Sequence, residues 1–291
     1  MVKKTFSELY QEIRSELFET LGADASHVAR ELVCKASGLP AAELIAGRQV
    51  YADEQAVRTL RESVARVREG EPLAYILGEW DFCGMTLTVT RDVLIPRDDT
   101  MAVTELAIKK ALFLEQNPRI LDLCAGTGCI GLAIAHRVKD ARVTLGELSP
   151  GAIRVAKKNI ADQRLSGRVS CIRVDARQPA ARFLGTFDMI VSNPPYVTTG
   201  EWEQLDPSVR DFEPRMALDG GEDGLEFYRA IVENFTGALK PGGYLCLEFG
   251  MGQHEAVQEI LRAHGYRVLQ LRRDTGDIIR AVLAQYTREA S

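Results

Sequence analysis

The sequence predicts an α/β fold, a mostly parallel sheet covered by helices on both faces and preceded by a small all-helical region. Three observations predict it. After Pro118, apolar runs of strand length alternate with segments of helical period. Before residue 71, apolar residues recur only at three- and four-residue steps, and from Trp80 the period drops to two.

In the front segment, Phe6, Leu9, Tyr10, Ile13 and Leu17 form one stripe that Gly22 ends. Val28, Leu32, Val33 and Ala36 form a second stripe before Gly38 and Pro40. Asp53 suits the cap of a third helix carrying Val57, Leu60, Val64 and Val67. Residues 1–71 hold no cluster of reactive side chains and read as a recognition or docking module, or a lid. A linker over 72–95 follows, in which Trp80, Phe82, Met85, Leu87 and Val89 alternate around Cys83-Gly84 as a β-hairpin. The third part, 96–291, begins with a loop reaching residue 100 and a helix over 101–114. Seven strands are expected at 119–124, 142–147, 169–174, 187–192, 244–249, 266–271 and 278–284. Helices are expected to start near Cys129, Pro150, Leu225 and Gln253. Ligands of such sheets bind beyond the carboxyl ends of the strands, so motifs that follow strands matter most.

Composition removes several classes. Apolar residues make up 46% and charged residues 26% of 291, which excludes disorder, collagen-like repeats and a disulfide miniprotein. Lys plus Arg number 36 against 41 Asp plus Glu, a formal charge of −5, which argues against a general nucleic-acid binder. No stretch reaches the roughly 20 apolar residues of a spanning helix, and the opening MVKKTFSELYQEIR is not a signal peptide. Cys34, Cys83, Cys124, Cys129, Cys171 and Cys246 form no CxxC pair and read as buried free thiols of a reducing, cytoplasmic compartment. The four histidines are remote from them in sequence, so no metal is expected.

The chemistry lies after the strands. The first long strand ends in Cys124, and Ala125-Gly126-Thr127-Gly128 turns into the next helix, where glycines let the backbone approach a ligand. Glycines at 126, 128 and 131 meet a dinucleotide pattern only incidentally. Glu147 closes the next strand, about twenty residues on, where a carboxylate can accept ribose hydroxyls. A ribose-bearing cofactor follows, dinucleotide and S-adenosylmethionine alike. The strand at 187–192 runs into Asn193-Pro194-Pro195-Tyr196. Its prolines make the turn rigid and leave carbonyls free to accept, Asn193 adds a side-chain oxygen, and Tyr196 adds a flat ring. Such a turn suits a planar group bearing NH₂, held by two acceptors for methylation of a poor nitrogen nucleophile.

Glycine loop, acidic strand end and Asn-Pro-Pro-Tyr, in that order, resemble the amino-methylating S-adenosylmethionine-dependent methyltransferases. Blocks at 71–79, 94–97 with Thr100, 121–130, 187–197, 213–221 and 239–243 narrow the resemblance to the peptide chain release factor glutamine methyltransferases, the HemK-type family. The resemblance implies a Rossmann-like class I methyltransferase domain with a seven-stranded sheet. It implies S-adenosyl-L-methionine as cofactor, S-adenosyl-L-homocysteine as product, and the Gly-Gly-Gln glutamine of bacterial class I release factors as substrate. It places the cofactor's methionine end along Cys124, Ala125, Gly126, Thr127 and Gly128, its ribose on Glu147, and its adenine beside Asp175 and Ala176. Asn193 and Pro194 would accept from the substrate amide, with Tyr196 and Pro195 lining the pocket. The helical front segment and the loop with Leu94 and Arg97 would hold the release factor.

The chain departs from the family in the loop Pro96-Arg97-Asp98-Asp99-Thr100-Met101, where Pro-Arg-Pro-(Glu or Asp)-Thr-Glu is usual. Cys124-Ala125 replaces Gly-Thr, Glu147 replaces Asp, and Ala176 lacks a frequent aromatic. Altered loop rigidity or cofactor affinity is expected, with Arg97 pairing with Asp98 or Glu105 or meeting the substrate. Rival readings are a ribosomal-protein glutamine methyltransferase, an adenine amino-methyltransferase and a non-catalytic adaptor for the release factor. A monomer without membrane or stable nucleic-acid partners is expected.

Overall fold

The computed structural model describes residues 4–47 and 49–287, so the expected outer domain limits at 1 and 291 lie outside the described residues. The chain divides into two compact units, Met1–Gly78 with Pro207–Phe212, and Glu79–Asp206 with Glu213–Ser291.

In the helical unit, α1 (Phe6–Leu21) starts in a reciprocal capping box between Thr5 and Glu8. α2 (Ala25–Ser37) stops where Gly38, at φ 68°, returns its N–H to the Cys34 carbonyl. α3 (Ala41–Ile45) is a single turn after Pro40. α4 (Glu54–Arg68) is capped by the Asp53 side chain, which accepts from the Ala56 N–H at 2.7 Å. α5 (Leu73–Leu77) ends the unit's main run. Leu9, Ile13, Leu17, Leu32, Val33, Leu60 and Val64 form its core, the stripes expected from periodicity. The buried Glu71 carboxylate accepts two bonds from the Arg66 guanidinium, at 2.7 and 2.8 Å.

The larger unit opens with the hairpin β1 (Glu79–Phe82) and β2 (Met85–Thr88). Cys83 and Gly84 both take positive φ, 50° and 77°, as a two-residue hairpin turn requires. That turn leaves Cys83 exposed, against the expectation of six buried thiols; Cys129, Cys171 and Cys246 are buried, and Cys34 and Cys124 are intermediate. Phe82, Met85 and Leu87 point into the core of the larger unit. Then follow α6 (Met101–Ala111), β3 (Arg119–Leu123), α7 (Cys129–Arg137), β4 (Arg142–Glu147), α8 (Pro150–Asp162), β5 (Val169–Arg173) and β6 (Phe187–Ser192). After these come α9 (Thr199–Trp202), α10 (Pro207–Arg210, in the helical unit), α11 (Glu226–Phe235), β7 (Leu239–Glu248), α12 (His254–Ala263), β8 (Tyr266–Arg273) and β9 (Ile279–Tyr286).

The seven strands lie in the order β5-β4-β3-β6-β7-β9-β8, parallel except for β9. The fold is the expected α/β, Rossmann-like one. One apolar layer covers the face of Ile120, Met189 and Cys246, and the other that of Leu121, Ile190 and Leu245. β7 begins five residues earlier than expected, because Leu239 already pairs with Phe187 before an irregularity ahead of Met189.

Asp122 stands among the apolar residues of β3, 1% exposed. Its Oδ2 accepts from the Gly131 N–H at 2.8 Å, and its Oδ1 has no partner among the described residues. Burial pushes its carboxyl up to about 7 from 3.8, against the lowering effect of the Gly131 bond. A raised carboxyl favours the folded state fully below the unfolded value and loses that contribution as pH rises through the folded one. Asp122→Asn, a neutral isostere, is therefore expected to gain melting temperature relative to the parent between pH 5 and pH 8. Thermal melts across that range check it, at roughly 2–4 °C per kcal/mol. A constant difference between variant and parent contradicts it.

Candidate active site

β3 and β6 are neighbours, yet the chain leaves β3 toward β4 and β5 and leaves β6 toward β7. The loops beyond their carboxyl ends therefore diverge and leave a crevice. The Ser192 hydroxyl donates to the Leu123 carbonyl at 2.7 Å and fixes the two strand ends together beneath it.

On the β3 side, Cys124, Gly126 and Gly128 have φ of 57°, 54° and 82°. The left-handed conformation favours glycine, so carrying it on Cys124 costs about 1 kcal/mol. A Cβ on Gly128 or Gly131 would lie 2.7 or 2.4 Å from the Leu145 side chain. These two glycines let α7 pack directly on β4, so Gly131 has a packing role. Asn159 is fully buried; it donates to the Thr127 and Thr88 carbonyls at 3.0 and 3.1 Å and accepts from the Thr88 N–H at 2.7 Å. It ties the glycine turn to the hairpin. Of the five turn residues, Cys124 and Gly126 line the crevice, whereas Ala125 and Thr127 are buried and Gly128 caps α7.

Glu147 ends β4 with its carboxylate largely spent on backbone. Oε1 accepts from the Leu148 and Ser149 N–H groups at 2.7 and 2.8 Å, and Oε2 accepts from the Gly126 N–H at 2.8 Å. Three of about four acceptor positions are thus filled by backbone N–H groups. The same bonds lock the glycine turn to the β4 end.

On the β6 side, Asn193 donates its Nδ2 to the Thr100 hydroxyl at 3.1 Å. Its carbonyl oxygen meets no donor among the described residues, and the residue lines the crevice together with Pro195. Pro194 is buried and is not among the residues that line the crevice. Tyr196 packs beside Gly250, where a Cβ would lie 3.1 Å from its ring, and burial pushes its phenol up. The Tyr196 carbonyl accepts from Gln253 Nε2 at 3.0 Å, and Gln253 Oε1 accepts from the Gly250 N–H at 2.9 Å. The Val197 N–H donates to the Leu218 carbonyl at 2.9 Å and the Val197 carbonyl accepts from the Gly220 N–H at 2.8 Å, and a Cβ on Gly220 would lie 2.7 Å from the Pro195 carbonyl. The 213–221 block is therefore what holds the proline turn from behind.

The loop before α6 is anchored at both ends. Leu94 lines the crevice, while Arg97 pairs with the buried Glu213, which also accepts from the Ile95 N–H at 3.1 Å. Glu213 thus replaces the expected partners of Arg97; Glu105 pairs with Arg272 instead. Asp99 pairs with Arg280 at 3.0 Å, and Met101 packs against the apolar core where the family's acid is usual. Thr100 and Glu248 complete this wall, and the Thr100 hydroxyl donates to Glu248 Oε1 at 3.3 Å.

Between the two loops lies a cavity of about 670 Å³, a size that accepts a nucleoside-bearing ligand. Glu147 and Asp175 line it with their carboxylates, and Leu148, Val174, Ala176 and Phe227 offer apolar walls. Gly126 leaves open space where a side chain would project. Carboxylate acceptors, an apolar slot and a close backbone fit the ribose, adenine and amino-acid end of S-adenosylmethionine. Sequence reasoning missed Phe227, Leu148, Gln253 and Glu248; the last ends its strand as Glu147 does, and that position was the available signal.

Comparison with known proteins decides the family. The chain is 45% identical over 208 residues to a release factor glutamine methyltransferase of Geobacter sulfurreducens, covering 71% of this chain and 70% of that one. It is 35% identical over 261 residues to a release factor glutamine methyltransferase of Thermodesulfovibrio yellowstonii, covering 89% and 92%. This chain belongs to the release factor glutamine methyltransferase family. The Methyltransferase small domain model matches residues 103–206 and the PrmC N-terminal domain model residues 8–78. A methyltransferase structure from Pyrococcus furiosus shares the fold, with a TM-score of 0.52 at 19% identity over 77% of this chain and 98% of that one. The family is S-adenosylmethionine-dependent, and the cavity fits that cofactor.

Removal of Glu147 takes away a carboxylate of the cavity and the anchor of two loops. Glu147→Ala is expected to weaken S-adenosylmethionine binding by roughly 10–100-fold, about 1.5–3 kcal/mol for hydrogen bonds to a charged group. Calorimetry checks this, and unchanged affinity removes the assignment.

Proposed function

We propose that this protein transfers the methyl group of S-adenosyl-L-methionine to the side-chain amide nitrogen of the glutamine in the Gly-Gly-Gln motif of bacterial class I release factors, and so modulates translation termination. The observation that carries the reading is Asn193: its Nδ2 is committed to Thr100, so its carbonyl oxygen is presented to the cavity that Glu147 shares. The names of the relatives favour a release factor over a ribosomal protein, and the charge of −5 favours a protein over a nucleic acid.

When bound, the cofactor supplies an electrophilic methyl on a sulfonium. The chain's own task is to make a poor nucleophile attack it. An amide nitrogen shares its lone pair with its carbonyl and becomes positive as it is methylated. Asn193 Oδ1 and the Pro194 carbonyl accept its two N–H groups, which turns the lone pair toward the methyl and stabilises the developing charge. The rigid prolines hold both acceptors without reorganisation, and Tyr196 closes the side of the pocket. The proton leaves to water after transfer. The helical unit, with the loop bearing Leu94 and Arg97, recognises the release factor, and the free thiols suit a cytoplasmic setting.

Mass spectrometry of a release factor incubated with the protein and S-adenosylmethionine is expected to show one methyl on the glutamine of its Gly-Gly-Gln peptide. Asn193→Ala is expected to cut the single-turnover rate by about 100-fold or more while cofactor affinity stays within about twofold. An unmodified glutamine with cofactor bound contradicts the substrate assignment, and full activity in Asn193→Ala contradicts the amide orientation.

A further inference from the structure

Glu248 ends β7 and is 1% exposed, yet it has no ion-pair partner among the described residues. Its Oε1 accepts from the Thr100 hydroxyl at 3.3 Å, and its Oε2 meets no partner among the described residues. A carboxyl so deeply buried costs several kcal/mol unless it is paired or neutral, and an apolar residue would serve packing better. The cation that reaches this region, Arg280, is already shared by Asp99 at 3.0 Å and Asp274 at 2.8 Å.

What Glu248 does touch is the hydrogen-bond chain behind the proposed amide acceptor. Asn193 Nδ2 donates to Thr100 Oγ1, and Thr100 Oγ1 donates to Glu248. An amide cannot show both of its ends to the same side. Holding Nδ2 toward Thr100 and Glu248 leaves Oδ1 toward the cavity, whereas a flipped Asn193 would present a donor to a substrate that itself donates. A carboxylate at the far end also draws both donors toward itself, and successive hydrogen bonds polarise one another. That makes Asn193 Oδ1 a stronger acceptor for a nitrogen becoming positive.

Resting on the methyl-transfer reading above, we propose that Glu248 and Thr100 are positioning residues: ionised Glu248, through the Thr100 hydroxyl, fixes the side-chain amide of Asn193 with its oxygen toward the substrate and strengthens it as an acceptor. Burial pushes the Glu248 carboxyl up to about 8 from 4.5. The hydrogen bonds from Thr100 and Asn193 and the charge of Arg280 oppose that rise, while Asp99 adds to it. The other titratable groups around it are Cys129, Tyr196 and Tyr228, whose own pKa values burial raises, so they stay neutral over the range. Tyr228 donates to the Glu248 backbone carbonyl at 3.1 Å and so leaves the carboxyl to Thr100 and Asn193.

The test uses the full chain, S-adenosylmethionine and a release factor as substrate, with kcat and KM measured from pH 6 to pH 9.5. The parent is expected to show a rise in kcat centred near 8. Glu248→Gln is expected to abolish that rise and to lower kcat by roughly 10–100-fold at the high-pH end, with KM for the cofactor within about twofold. Thr100→Val is expected to act in the same direction, and Thr100→Ser, which keeps the hydroxyl, to recover activity to within about threefold. Side-chain amide NMR of ¹⁵N-labelled protein supplies a readout independent of turnover: the Asn193 resonances are expected to titrate near 8 in the parent and to stay flat in Thr100→Val. Wild-type kcat and pH profile in Glu248→Gln, a kcat that falls as pH rises through this range, or equal loss in Thr100→Ser and Thr100→Val overturns the proposal. A parent that leaves the release factor unmethylated contradicts the function instead, and the network then stands or falls on the Asn193 titration alone.

Discussion

The bond from the Ser192 hydroxyl to the Leu123 carbonyl sits where the site begins. β3 and β6 lie side by side, but their onward connections run to opposite ends of the sheet. The cofactor turn and the proline turn must therefore separate directly above that bond. Their spacing is a property of two buried, paired strands tied by that 2.7 Å bond, not of two loops. Each later feature braces one of the diverging arms. Glu147 and Asn159 hold the glycine turn, whereas Gln253 and the 213–221 block hold the proline turn. The arms themselves contribute mainly backbone carbonyls, one amide and one carboxylate, groups that bind without needing to move.

Buried carboxylates divide this protein into different kinds of work. Glu71 and Glu213 each meet an arginine, so each acts as a structural clasp, the first inside the helical unit and the second on the loop before α6. Asp122 gives one oxygen to the start of α7 and leaves the other bare, a cost accepted where a glycine helix packs against the sheet. Among the described residues Glu248 has no arginine to itself and no backbone N–H on its side chain; its carboxyl is met by the Thr100 hydroxyl, which leads to Asn193, and by the Asn193 amide. Its position, one hydrogen-bonded residue behind Asn193, the proposed amide acceptor, is where uncompensated charge has an electrostatic use.

Periodicity in the sequence reached the large elements. The stripes of α1, α2 and α4, the alternation of the hairpin and the seven strands lie where their apolar residues imply, apart from the early start of β7 at Leu239. Single-turn helices such as α3, α5 and α9 escaped, because four or five residues make one turn and never repeat the period. The cofactor and proline turns were legible because each is a contiguous run with unusual backbone chemistry. Their supports were not. Glu213 meets Ile95, and Glu248 meets Thr100, across more than a hundred residues of chain, and only the fold brings such pairs together. Arg97 shows the same limit: the acids nearby in sequence were the natural candidates, and its partner came from a block whose own role was unread.

The central claim is that Asn193 faces the substrate as an acceptor because its donor end is held from behind. A crystal structure of the protein with S-adenosyl-L-homocysteine and a Gly-Gly-Gln peptide tests it most directly. The account predicts the glutamine amide nitrogen within about 3 Å of Asn193 Oδ1 and of the Pro194 carbonyl, with Asn193 Nδ2 still on Thr100. A glutamine bound through its carbonyl to Asn193, or one seated away from the proline turn, would contradict it.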